Sequence, residues 1–188
     1  RGPLRLTYVG NLYGGRSPES VLRAVALLRQ RGRLAPGEIE IQLIGAGGAK
    51  FAGLAQELGV PWALTVQGRV PYAAALAALS RAHVALLLGG AQVDTASTPT
   101  KIYDYFHLRK PVLAIVPPGL LHDIMANAGA ACATPDDVDT VAQTLDAWVQ
   151  MWRGQALPRP PDPLPGQESY TRRALTAQLA QLLDAAVR

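Results

Sequence analysis

The chain has 188 residues, of which 49% are hydrophobic, enough to bury the core of one domain. Its formal charge of +4 comes mostly from arginines scattered over predicted helices; without a basic run or interleaved aromatics, this argues against dedicated nucleic-acid binding and suits an anionic ligand or an anionic membrane surface. No run of about twenty apolar residues is present to span a bilayer, and the single cysteine, Cys132, excludes an internal disulfide and a cysteine-based zinc site and fits a reducing compartment.

The start at Arg1 shows neither an initiator Met nor a signal-peptide pattern, so a boundary inside a longer protein is the expectation. Apolar runs then alternate with helix-period segments. Leu4 to Val9, Ile39 to Ile44, Leu64 to Gln67, Val84 to Leu88, Val112 to Val116 and Ala131 to Ala133 read as strands. Most lack polar alternation, as in a parallel sheet covered on both faces. Ser17-Pro18 opens a helix with apolar Val21, Leu22, Val25 and Leu28; Val70-Pro71 opens another, and Thr134 to Asp137 a third. Repeated β-α units of this kind predict an α/β, doubly wound, Rossmann-like parallel sheet over residues 1–156, with helices on both faces. The proline-rich stretch 157–167 reads as an extended connector. Residues 168–188 form a last amphipathic helix with Leu175, Leu179, Leu182 and Leu183 on one face, docked either on this domain or on another.

Ligands of such sheets bind beyond the carboxyl ends of the strands, so the residues after each strand matter most. The first strand leads into Gly10-Asn11-Leu12-Tyr13-Gly14-Gly15-Arg16, where glycines permit close approach of a ligand and Arg16 can fork two N–H donors onto a phosphate. The same residues also suit a plain turn. Gly45-Ala46-Gly47 after the second strand fails as a dinucleotide fingerprint, because Lys50 stands where a third glycine is required and Gln67 closes the next strand without an acid. Gln67-Gly68-Arg69-Val70 follows the third strand, and Gly89-Gly90 and a loop to Thr98 follow the fourth. Thr98 and Pro99 read as N-cap and first helical residue, which turns the N–H groups of Thr100, Lys101 and Ile102 outward, an arrangement that suits an anion. Lys101 and Asp104 share one stripe of this helix, and Ile102, Tyr105 and Phe106 share an apolar one. An ordinary amphipathic helix with an exposed ion pair accounts for the same spacing. His83, His107 and His122 have no ligand-type spacing and no Ser–His–Asp grouping.

The run Lys101, Asp104, Tyr105, Lys110 and Pro111, followed by the apolar strand from Val112, resembles the nucleotide-binding segment of GT-B glycosyltransferases of the group 1 retaining superfamily. The resemblance covers about residues 4–153. It implies the C-terminal, donor-binding half of a two-domain enzyme that transfers a sugar from a nucleoside-diphosphate sugar to an acceptor, with retention. On that resemblance the donor diphosphate meets Gly10, Asn11, Gly15, Arg16, Thr100 and Lys101, Asp104 grips the ribose, and Arg69 and Val70 read the nucleobase. No catalytic residue is assigned within this chain. No cofactor or divalent metal is implied, because Arg16, Lys101 and helix N-termini take the cationic part.

The resemblance implies that an acceptor-binding N-terminal domain lies outside this chain, which is therefore expected to bind nucleotide without turnover. In the family the last helix crosses back to brace that domain. The full enzyme is expected in the cytoplasm, with a peripheral place at the inner face of the membrane. The sequence departs from the family at Asn11, where an Arg usually follows the first glycine, and at Ala96, where the first of two glutamates usually stands. Asp94 lies close by in the wrong register, and Arg109 replaces a usual helix-ending glycine. Two alternatives stay open: a non-catalytic α/β nucleotide-binding module, to which Asn11 and Ala96 point, and an NAD(P)-dependent oxidoreductase domain, against which the failed fingerprint counts.

Overall fold

The computed structural model describes residues 2–90, 98–160, 162, 168 and 171–186. Asp94, Ala96, most of the loop after Gly90 and most of the connector's second half lie outside the described residues. The strands are β1 (Leu4–Val9), β2 (Ile39–Ile44), β3 (Leu64–Gln67), β4 (Val84–Leu88), β5 (Val112–Ile115) and β6 (Ala131–Ala133). Between and after them run α1 (Glu19–Gln30), α2 (Phe51–Glu57), α3 (Tyr72–Arg81), α4 (Lys101–His107), α5 (Leu120–Asn127), α6 (Val138–Arg153) and α7 (Arg172–Ala186). The described strands form one six-stranded sheet in the order β3-β2-β1-β4-β5-β6, with every pairing parallel. The fold is α/β and Rossmann-like.

Strand chemistry explains the sheet. All five residues of β4 and all four of β5 are buried, because each strand is covered on both faces and successive side chains point to opposite sides. Val84, Leu86 and Leu88 join one core with Leu4, Leu6 and Tyr8 of β1, under α1, α2 and α6. Ala85 and Leu87 join the other core with Ile102, Tyr105 and Phe106 of α4, Leu79 of α3 and Met125 of α5. Full burial of one such aliphatic side chain is worth about 1.5–3 kcal/mol. The predicted fifth strand ends one residue early, at Ile115, although the Val116 N–H still donates to the Ala133 carbonyl (3.0 Å).

Capping is partly displaced from the predicted positions. Ser17 accepts the Glu19 N–H (3.1 Å), so α1 starts at Glu19 behind Pro18. Asp137 caps α6 by accepting the Thr140 N–H (2.9 Å). Helix α7 forms as expected, but none of its described residues is buried, and Leu175, Leu179, Leu182 and Leu183 stay 47–68% exposed. No helix among the described residues is long and apolar enough to cross a membrane.

Candidate functional site

Successive strands are added toward one side of the sheet up to β3 and toward the other from β4 onward, so the loops after β1 and β4 diverge and leave a crevice at the carboxyl edge. The loops after β1 and β2 are laced together there. Gly10 N–H donates to the Ile44 carbonyl (2.8 Å) and Leu12 N–H to the Ala46 carbonyl (2.9 Å). Asn11 Oδ1 accepts the Ala46 N–H (3.1 Å), and the Tyr8 hydroxyl donates to the Asn11 carbonyl (3.1 Å). Gly45 allows this approach, since a Cβ there would collide with the Gly10 carbonyl. Asn11, where the resemblance leads one to expect a cation, thus uses its side-chain oxygen to brace the loop.

Beside this junction is a cleft of about 310 Å³ that brings together Gly10, Asn11, Arg69, Val70 and Tyr72 over Val9. Arg69 is exposed and Val70 half-buried, both on the short loop between β3 and α3. A narrow crevice of about 20 Å³ adjoins it, lined by Lys101 and Asp104 from α4 and sharing Val9, Tyr72 and Ala75 with the larger cleft. Four of the nine predicted contacts therefore share the cleft, and two more stand next to it.

Helix α4 carries those two. Its apolar face, Ile102, Tyr105 and Phe106, is buried, and the Tyr105 hydroxyl donates to the Leu86 carbonyl (3.1 Å) of β4, anchoring the helix on the sheet. Burial holds the Tyr105 phenol well above its ordinary pKa, so it remains a donor. Lys101 reaches from α4 to the β1 loop: its ammonium lies 4.2 Å from the centre of the Tyr8 ring, and a Cβ on Gly10 would come within 2.6 Å of its Nζ. Asp104, half-buried, accepts the Tyr72 hydroxyl at Oδ1 (3.1 Å). The start of α4 differs from expectation. Thr100 precedes the helix with φ −59° and ψ −23° and no side-chain cap. Ile102 N–H is bonded to the Pro99 carbonyl (3.2 Å), which removes it from the predicted outward donors.

The remaining predicted residues lie elsewhere. Neither Arg16 nor Thr100 lines the two cavities; the Arg16 guanidinium stacks on the Tyr13 ring at 4.6 Å. Gly15 lines a separate cleft of about 360 Å³ with Ser17, Arg23, Gly89 and Asp136, next to the first turns of α1 and α6. Lys110, grouped with the donor-site run by resemblance, is at the opposite edge of the sheet because it precedes β5. Its ammonium donates to the Ser80 (2.5 Å) and Ala82 (2.8 Å) carbonyls at the end of α3, and burial lowers its pKa. His83 Nδ1 accepts the Arg5 N–H (2.9 Å) while its ring packs on Trp152 (4.1 Å between centroids). Among the described residues no three His, Cys, Asp or Glu side chains converge as metal ligands. Tyr72 was not singled out from the sequence. The available signal was an aromatic at a helix start directly after Arg69-Val70-Pro71.

No protein-family model and no curated protein matches the sequence. Solved structures do match it. WaaG, a glycosyltransferase involved in lipopolysaccharide biosynthesis, superposes with a TM-score of 0.60 at 17% identity, over 81% of this chain and 40% of that one. The pneumococcal O-GlcNAc transferase GtfA, solved with UDP and GlcNAc, gives 0.57 at 15% identity, over 84% and 30%. Anabaena HepE, solved with UDP and glucose, gives 0.60 at 14% identity, over 98% and 49%. The fold is that of the C-terminal domains of GT-B glycosyltransferases. The chain spans less than half the length of each of these three structures.

Proposed function

We propose that this chain is the donor-nucleotide-binding domain of a glycosyltransferase, and that the cleft at the carboxyl edge takes the nucleoside diphosphate of a sugar donor. The observation that carries the reading is the convergence of Gly10, Asn11, Arg69 and Val70 on one cleft beside Lys101 and Asp104. UDP in the structures of GtfA and HepE supports it. On this reading the base lies by Arg69 and Val70, the ribose hydroxyls donate to Asp104, and Lys101 meets the diphosphate where the glycine at position 10 leaves room. Gly15, Arg16 and Thr100 line neither of these two cavities and carry no contact in this reading.

Catalysis, in this proposal, arises when a second domain outside these 188 residues presents the acceptor. Lys101 and the N–H dipoles around it then stabilise negative charge as it develops on the leaving diphosphate, and fixed positive groups aimed at that charge lower the barrier without reorganising. Group 1 membership, retention, independence from metal and a cytoplasmic setting at a membrane face belong to the same proposal.

Thermal denaturation with UDP, GDP, ADP and TDP tests it. One of them at a hundredfold its dissociation constant adds about 2.7 kcal/mol, or roughly 5–11 °C in midpoint for a chain of this size. Lys101→Ala weakens that ligand by about tenfold or more, the range of a lost charge-assisted hydrogen bond. NADP gives no shift. Absence of a shift with all four diphosphates, or a shift with NADP alone, overturns the reading.

A further inference from the structure

Tyr72 is the first residue of α3 and is 68% exposed, an unusual degree for a large aromatic side chain. Pro71, extended at φ −55° and ψ 147°, sets the helix start and with it the direction of this ring. The side chain stands on the boundary of the larger cleft and the narrow crevice and lines both. Its hydroxyl donates to Asp104 Oδ1 (3.1 Å) across 32 residues of sequence. An ionised carboxylate has about four lone-pair directions, so one phenol occupies a single direction and leaves Oδ2 to accept from other hydroxyls. The carboxylate beside it also raises the Tyr72 pKa, mainly through that hydrogen bond, which keeps the phenol a donor over the physiological range.

We propose that Tyr72 is a positioning residue for the nucleoside: its hydroxyl orients the Asp104 carboxylate so that Oδ2 meets the ribose diol, and its ring walls the base side of the cleft. This rests on the nucleotide-binding reading above and adds to it a source of selectivity for ribose over 2′-deoxyribose. The diol of a ribonucleotide can offer two donors to a carboxylate already held by the phenol. A 2′-deoxynucleotide offers one and gains little from that orientation. The ring serves both equally, because its contact is with the flat base and the sugar's apolar edge.

The test is calorimetric titration of the 188-residue chain with UDP, GDP and ADP and the 2′-deoxy form of each, on wild type, Tyr72→Phe, Tyr72→Ala, Asp104→Ala and the Tyr72→Phe/Asp104→Ala pair. For the diphosphate that binds, wild type favours the ribose form by about tenfold. Tyr72→Phe loses about five- to tenfold for that form, the scale of one hydrogen bond, and under about twofold for the deoxy form. In the Asp104→Ala background the same substitution changes nothing further, as a double-mutant cycle requires of a residue acting through Asp104. Tyr72→Ala weakens both forms. Wild-type binding with Tyr72→Phe unchanged, tighter, or equally weakened with and without Asp104 overturns the role of Tyr72 and leaves the nucleotide site standing. No binding of any diphosphate by wild type overturns the site, and the role of Tyr72 with it. Since Tyr72 is exposed, an unaltered melting midpoint in the unliganded variants excludes misfolding as the cause.

Discussion

Arg109 sits in the left-handed region at φ +47°, just beyond Leu108, the residue that caps the end of α4. Its N–H donates to the Phe106 carbonyl (3.0 Å) and the Lys110 N–H to the Tyr105 carbonyl (3.0 Å), the two bonds of a Schellman ending, which favours glycine at this position. Arg109→Gly is therefore expected to stabilise the fold by about 1 kcal/mol and raise the melting midpoint by about 2–4 °C. A lower midpoint would show that the arginine side chain contributes more than its backbone costs. Cys132 supplies a second residue-scale case. Burial pushes its thiol from 9.0 up to about 11. At pH 8 its alkylation should run about a hundredfold slower in the native chain than in the urea-unfolded one, in step with the thiolate fraction. Because the folded state holds the proton more tightly, the thiol's contribution to stability is present below about pH 9 and is lost as pH rises toward 11. Urea unfolding between pH 8 and 11 should show a shallower alkaline decline in Cys132→Ala.

At the scale of elements, α6 is tied to the start of β2 and the end of α1 by charge. The Arg153 guanidinium forks onto Glu38 at 2.7 and 2.6 Å, and Arg33 reaches Asp146 at 2.7 Å. Hydrogen bonding to Arg153 holds the Glu38 carboxyl below its ordinary pKa, and Arg33 does the same to Asp146. Depressed carboxylates stabilise the fold above their unfolded pKa and lose that contribution as pH falls through the folded value. The clamp therefore weakens below about pH 4.5. Its groups are partly exposed, so each pair is worth under about 1 kcal/mol. Comparing urea midpoints at pH 6 and pH 3, Glu38→Gln should lose less on acidification than wild type does. An equal loss would mean that Glu38 titrates normally in the folded chain. Helix α7 has no such tie among these bonds, and its leucine face stays in solvent.

At the scale of the whole molecule, one sheet serves two cores. Leu86 belongs to the core beneath α1 and α6, while its neighbours Ala85 and Leu87 belong to the one beneath α4 and α5. A strand cannot leave one face without abandoning the other, so both cores should unfold together. Leu86→Ala, at a fully buried position, is expected to cost about 2–5 kcal/mol and to lower the midpoint by roughly 4–20 °C in a single transition. Separate transitions by far-ultraviolet dichroism and tryptophan fluorescence would contradict this coupling.

The sequence by itself determined the strands and their order along the chain. Five of the six strands have the bounds expected from their apolar runs, because burial on both faces demands an unbroken stretch of such residues and local punctuation ends it. Topology pointed to the loops that hold Gly10, Asn11, Arg69 and Val70, since loops after parallel strands gather at one edge whatever their spacing in the chain, and the family resemblance singled out those residues within them. Which residues meet at that edge was decided by tertiary structure. Asn11 holds Ala46 across 35 residues, Tyr72 holds Asp104, Lys110 caps α3 at the far edge, and Gly15 faces a different cleft. None of these pairs has a periodic signature. The Asn11–Ala46 bond continues the β1–β2 register, in which Val9 faces Ile44, whereas the contacts of Tyr72 and Lys110 depend on the angle at which a helix crosses the sheet, set only when side chains from distant segments pack against one another.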